Sequence, residues 1–222
     1  MNSTYDEGWA IIHEGSTEKV FYLCLLKFLC KKHGASIQKE ELNNGLEIIY
    51  TLKINNRKYI IKTYDAGSLT NMPKTSKWFE EECAKKYLKK SLWTVFLCYD
   101  TDAYKYEVSP YYEGDWKDLR DKIGKVKEIV DLAAAADIED VLLMDFEGIC
   151  KYIGVEKPDR SLLKGRKGSA KMKALFRSYG KTYHKGERTQ SLIENLDLQK
   201  IIDSNILPLS QIEAAFQGKN DF

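Results

Sequence analysis

Two short runs of this sequence carry the residue types from which a reaction centre can be built. In Ile11-Ile12-His13-Glu14-Gly15-Ser16-Thr17-Glu18, one carboxylate ends an apolar run, a glycine permits a sharp turn, and a second carboxylate falls in the first turn of a helical pattern. In the second run, Leu92 to Tyr99 is apolar without alternation and ends at Asp100-Thr101-Asp102. Such a run reads as a central strand covered on both faces. Residues two apart in an extended chain point the same way, and in open α/β sheets the functional crevice lies beyond the carboxyl ends of the strands. Glu14, Glu18, Asp100 and Asp102 are therefore expected to meet. Carboxylates brought together repel one another and lose hydration, which a divalent cation relieves, and hard oxygen donors select Mg²⁺ or Mn²⁺. Each run alone has a plainer reading. Glu18 is favoured at a helix N-terminus by about 0.3 to 1 kcal/mol, and Asp100 and Asp102 are good turn formers. Their combination, in this order and at strand ends, is what points to a site.

The elements that must position these groups read as follows. Trp9 to His13 is a strand, Thr17 to His33 a helix stopped by Gly34, and Leu46–Ile54 with Lys58–Tyr64 a hairpin joined at Asn55-Asn56-Arg57. Lys74 to Lys90 reads as a helix. So does Trp116 to Ala136, with its alanine run, and Asp137 is placed to cap a further helix over Ile138–Ile153. Beyond Gly154 come a loop at Lys164–Ser169, a helix at Ala170–Tyr179, and helical patterns over Thr189–Ser204 and Leu209–Gln217. Strands alternating with helices make the class α/β. The expected division is a core over residues 1–154, with a hairpin insertion near 46–64, and a basic, mainly helical extension over 155–222 packed on it.

Composition narrows the function. With 222 residues, 43% hydrophobic and 31% charged, the chain can build one ordinary core. The apolar run Val20–Cys30 is too short to span a bilayer and contains Lys27. No membrane span is expected, and the acidic, polar start lacks the order of a secretory signal, which points to the cytoplasm. The cysteines at 24, 30, 83, 98 and 150 form no Cys-x-x-Cys pair and read as reduced, buried hydrophobes. With His13, His33 and His184 as the histidines, no zinc-like cluster arises. From Lys151 to Arg188, twelve Lys or Arg stand against Glu156, Asp159 and Glu187, an excess of nine positive charges, so in a chain of net charge +2 the remainder carries −7. That segment is a candidate polyanion surface, with Lys164, Arg166, Lys167, Lys171, Lys173, Arg177, Lys181 and Lys185 as candidate phosphate contacts; its plainer reading is a solvated surface.

Ile11–Glu18 followed by Cys98-Tyr-Asp-Thr-Asp102 resembles the Toprim domain shared by topoisomerases, primases and a group of nucleases, and within it the bacterial defence nucleases of the OLD (overcoming lysogenization defect) and RloB-like family. The resemblance spans roughly residues 9 to 188. It implies a Rossmann-like, mostly parallel sheet flanked by helices and a Mg²⁺- or Mn²⁺-dependent phosphodiesterase acting on DNA or RNA, with a role in defence against phage or mobile DNA. It further implies that Glu14, Glu18, Asp100 and Asp102 are joined by a glutamate opening a helix, Glu139, and by a distant lysine, Lys185. Glu139 is equally readable as a first-turn acid and Lys185 as one surface lysine among many. No glycine follows Asp102 at the spacing of many topoisomerases and primases, which argues against those activities. Lys164-Gly-Arg-Lys-Gly-Ser-Ala-Lys171 misses the Walker A spacing, so any ATP dependence requires a separate ATPase subunit. Two other classes remain open: a non-catalytic module that holds nucleic acid or an ATPase partner, and a phosphotransfer enzyme of primase or RNA-maturase type.

Overall fold

Alternate residues of the first strand enter different cores. Trp9 and Ile11 pack on one face of a sheet and Ala10 and Ile12 on the other, as the two-residue period of a strand dictates. The structure, a computed structural model, describes residues 4–101, 116–134 and 136–217. Its strands are β1 (Glu7–His13), β2 (Ser36–Leu42), β3 (Glu47–Ile54), β4 (Arg57–Asp65), β5 (Trp93–Asp100) and β6 (Glu128–Ala134). They form one six-stranded sheet in the order β2-β3-β4-β1-β5-β6. β1 runs parallel to β4 and to β5, and β5 parallel to β6, while β2–β3 and β3–β4 are antiparallel. The sheet is therefore mixed, and the hairpin expected as an insertion is joined to its centre through β4. The carboxyl ends of the four parallel strands lie along one edge, with His13 level with Asp65 and with Cys98, and Asp100 level with Ala134.

The helix α1 (Ser16–His33) lies over the face that receives Trp9 and Ile11, together with α4 (Ile138–Leu142), α5 (Phe146–Tyr152), α6 (Gly168–Ser178), α7 (Gln190–Glu194), α8 (Leu198–Asp203) and α9 (Ser210–Phe216). The other face is covered by a 3₁₀ turn at Leu69–Lys74, by α2 (Thr75–Phe79) with the π turn Glu80–Ala84 that follows, and by α3 (Lys117–Ile123). α1 stops where expected, at Gly34, whose left-handed φ of 66° lets its N–H reach back to Cys30 O. All five cysteines are buried and none is in a disulfide. No described helix is long and apolar enough to cross a membrane.

Three expectations need correction. The helix expected over Trp116–Ala136 is the short α3 followed by strand β6: Gly124, at φ 77°, ends the helix, and pairing with β5 overrides the helical preference of Ala133 and Ala134. Strand β2 was unforeseen, because its sequence, Ser-Ile-Gln-Lys-Glu-Glu-Leu, is that of a solvated edge strand, whose charges guard against further pairing. The single helices expected over Lys74–Lys90, Ile138–Ile153 and Thr189–Ser204 are each broken into shorter turns. In the last of these Asp197 interrupts the pattern and caps α8 through Lys200 N.

Candidate active site

β1 and β5 deliver the first two carboxylates. Glu14 follows β1, its N–H donating to Cys98 O at 3.0 Å, and its Oε2 accepts from the backbone N–H of Asp100 at 3.0 Å. Asp100 is held in turn by the next residue, since Thr101 donates to Ala134 O from both its N–H, at 3.0 Å, and its hydroxyl, at 2.8 Å. Gly15, expected to permit a sharp turn, is extended, at φ −154° and ψ −179°, a conformation open to any residue. Its part is space: a Cβ there would come 3.1 Å from Glu18 Oε2. Glu18, in the first turn of α1, is buried beneath this turn.

The third contribution comes from beyond β6. Asp137 caps α4, accepting from Asp140 N at 2.9 Å, which presents Glu139 to the interior with no exposure at all. Glu139 Oε1 accepts from the Tyr183 hydroxyl at 3.2 Å and pairs with Lys185 Nζ at 3.0 Å. Lys185 is fixed by its neighbour: Gly186 N–H donates to Thr17 Oγ1 of α1 at 2.9 Å. Thus residues separated by 171 positions, Glu14 to Lys185, enclose one acidic recess at the ends of β1 and β5.

Its electrostatics follow from burial and like charge. Burial, reinforced by Glu14 and Glu139 and opposed by Lys185, pushes the Glu18 carboxyl up to about 7. Burial together with Glu18, Glu14, Asp137 and Glu139 pushes Asp100 up to about 10. Lys185 moves the other way from burial alone: its desolvation is outweighed by Glu139, which holds the ammonium charged above its ordinary range. Two carboxylate oxygens in the recess, Asp100 Oδ1 and Glu139 Oε2, are buried with no hydrogen-bond partner among the described residues.

The expected residues are thus distributed unevenly. Glu14, Glu18, Asp100, Glu139 and Lys185 converge, while Asp102 lies outside the described residues. Among the described residues, no three Asp, Glu, His or Cys side chains form a ready ligand set for one ion. The donor chemistry fits a hard cation all the same, since the two partnerless oxygens belong to carboxylates that repel their neighbours. Of the basic residues, Lys164, Arg166 and Lys167 stand exposed on the loop before α6. Lys171 is turned inward to Asp140 at 2.6 Å, where Gly168 N–H also donates to Asp140 at 3.0 Å and Ser169 N–H to Asp137 at 3.2 Å. Lys173, Arg177 and Lys181 line a groove of about 390 Å³ that reaches Tyr183. Tyr183 was not singled out from sequence; the available signal was its position two residues before Lys185. No protein-family model matches the chain, and no curated protein matches it.

Proposed function

We propose that this chain is a metal-dependent nuclease of Toprim type that hydrolyses phosphodiester bonds of DNA or RNA. The observation that supports it is the pair of buried oxygens, Asp100 Oδ1 and Glu139 Oε2, that have no partner among the described residues, in a recess shared with the carboxyl groups of Glu14 and Glu18. A buried acceptor left without a donor costs about 1 to 3 kcal/mol, and a fold keeps such groups where something else supplies the partner. Glu14, Asp100 and Glu139, with Asp102 as a further candidate, would hold Mg²⁺ or Mn²⁺, which when bound neutralises these charges and acidifies a water. The remaining work falls to the chain. Glu18, buried beside Glu14, with its carboxyl raised to about 7 in the metal-free protein, is the group placed to take a proton from an attacking water. Lys185, held by Glu139 and half exposed, is placed to meet the negative charge that grows on the phosphoryl oxygens. Lys173, Arg177 and Lys181 give the backbone of the substrate a cationic path to Tyr183.

A second reading, a non-catalytic nucleic-acid or ATPase-partner module of the same fold, is favoured by the lack of a preformed set of three ligands among the described residues. One experiment separates them. Purified protein is incubated with end-labelled DNA and RNA, with Mg²⁺, Mn²⁺ or chelator, and run on a denaturing gel. Metal-dependent cleavage that falls by more than about a hundredfold in Asp100→Asn and in Glu139→Gln is expected. Binding without cleavage under every metal condition establishes the module instead. Defence against phage or mobile DNA is the role that the family resemblance adds to this reading.

A further inference from the structure

We infer that the cavity on the β4 side of the end of β1 is a nucleobase subsite, holding one unstacked base of a nucleic acid whose backbone passes the acidic recess. The inference rests on the nucleic-acid reading above for its ligand class, and on the cavity itself for its location. The cavity measures about 730 Å³ and is bounded by β3, β4, the β2–β3 turn and the helical segment after Thr75. His13 lines it. That residue is 1% exposed, and among the described residues neither Nδ1 nor Nε2 makes a hydrogen bond of ordinary geometry, the Gly15 backbone and the Asp65 carboxylate being the polar groups that act on the ring. A neutral imidazole offers one donor and one acceptor; the Gly15 backbone serves the donor at most weakly, and an imidazole left short of partners in the interior is costly unless a ligand edge supplies one.

The rest of the lining suits the same occupant. Trp9, Trp93 and Trp116 are buried in the cores, whereas Trp78 is half-buried, lines the cavity, and stacks on Tyr64 with ring centroids 4.8 Å apart and planes at 28°. An indole so braced is a stacking platform for a planar ring. Leu46, 90% exposed at the tip of the β2–β3 turn, gives the cavity an apolar lip. The buried Lys62 is already matched by Glu47, so the wall it forms is neutral overall. Lys19, also in the lining, pairs with the exposed Glu187, an ion pair weak enough to be exchanged for a phosphate, whereas Lys86 is shared between Glu82 and the more buried Glu47. His13 and Glu14 are consecutive, which puts the base pocket on one side of the β1 terminus and the carboxylates on the other.

The test uses the full chain in chelator, so that no cleavage intervenes. Tryptophan emission and fluorescence anisotropy are followed on titration with a single-stranded oligoadenylate, with an abasic backbone of equal length, and with adenosine monophosphate. The intact strand is expected to quench emission and to bind about tenfold more tightly than the abasic one. Trp78→Phe should keep that preference and lose the quench, while Trp78→Ala and His13→Leu should lose most of the preference, with thermal melts confirming that each variant is folded. Quenching by the monophosphate as well shows that the pocket also accepts a free nucleotide; quenching by the strand alone assigns it to a base in a chain. Equal affinity for abasic and intact strands, or a quench that survives in Trp78→Phe, overturns the subsite. Asp100→Asn keeps the base preference whether or not the chain cuts, so a failed nuclease reading and a failed base pocket give different results.

Discussion

Asp100 and Glu18 carry carboxyl groups that the folded, metal-free protein prefers to keep protonated. Because their folded pKa values lie above the ordinary 3.8 and 4.5, the native state binds these protons more tightly than the unfolded chain does. The stability they contribute is therefore fully present at pH values below that ordinary range and is lost as pH rises, through about 7 for Glu18 and on toward about 10 for Asp100. His13 acts in the opposite sense: burial lowers it from 6.5 to about 4, so its contribution is lost as pH falls below the ordinary histidine range. A window from about pH 7 to 8 thus isolates the carboxyls, lying above the ordinary histidine value of 6.5 and below the ordinary thiol value of 9.0. In chelator, wild type is expected to lose on the order of 1 to 2 kcal/mol across it, a melting shift of several degrees for a chain of this size. Asp100→Asn should be more stable than wild type at pH 8 and show a flatter profile, read by thermal melts at closely spaced pH. A variant that is less stable, with an unchanged slope, would make Asp100 a turn former and remove the charge argument. The acids themselves were legible in the sequence because strand ends are marked by where apolar runs stop. Their burial was not, since it involves Glu139 and Tyr183, which lie 121 and 165 residues beyond Glu18 and 39 and 83 beyond Asp100.

At the scale of elements, the recess depends on how the 3₁₀ turn Gly186–Thr189 sits on the start of α1. Gly186 has φ 70°, in the left-handed region, and a Cβ there would fall 2.7 Å from Ser16 Oγ. Gly186→Ala is expected to cost about 1 to 3 kcal/mol and to loosen Lys185 from Glu139. Ser16→Ala removes the hydroxyl while leaving the backbone strain, so the double variant should be less destabilised than the two single changes imply when their urea unfolding energies are added. Strict additivity would mean that the two residues do not press on each other. This contact was invisible beforehand, because nothing local in Lys185-Gly186 announces a partner at Thr17. β1, α1, the β3–β4 hairpin and β5 were legible from periodicity and from Gly34 and Asn55, which are strong local signals. β6 was hidden by alanines whose intrinsic preference is helical, and β2 by a polar composition that reads as loop. In both cases strand pairing, a non-local term, decides the outcome.

Over the whole molecule, charge is sorted by place. Four acids, Glu14, Glu18, Asp100 and Glu139, gather at the carboxyl edge of the sheet, and the stretch from Lys151 to Arg188, with its excess of nine positive charges, brings Lys185 to them. The structure divides the basic residues further. Lys171 is spent on Asp140, and its role is to fasten the start of α6 to the start of α4. Lys173, Arg177 and Lys181 share one groove that ends at Tyr183, next to Glu139. If this groove carries a nucleic-acid backbone, affinity measured in chelator should fall steeply with salt, and the triple variant Lys173→Gln/Arg177→Gln/Lys181→Gln should reduce the slope of log affinity against log salt by about 2 for a single strand. The loss should be alike for all sequences, because phosphates carry no sequence information. Lys171→Gln should instead lower stability, leaving the slope within about half a unit of wild type. Anisotropy titrations at four or five salt concentrations measure both variants. A triple variant with an unaltered slope would show that the groove is not the backbone path, and would move the search for it to the exposed loop of Lys164, Arg166 and Lys167.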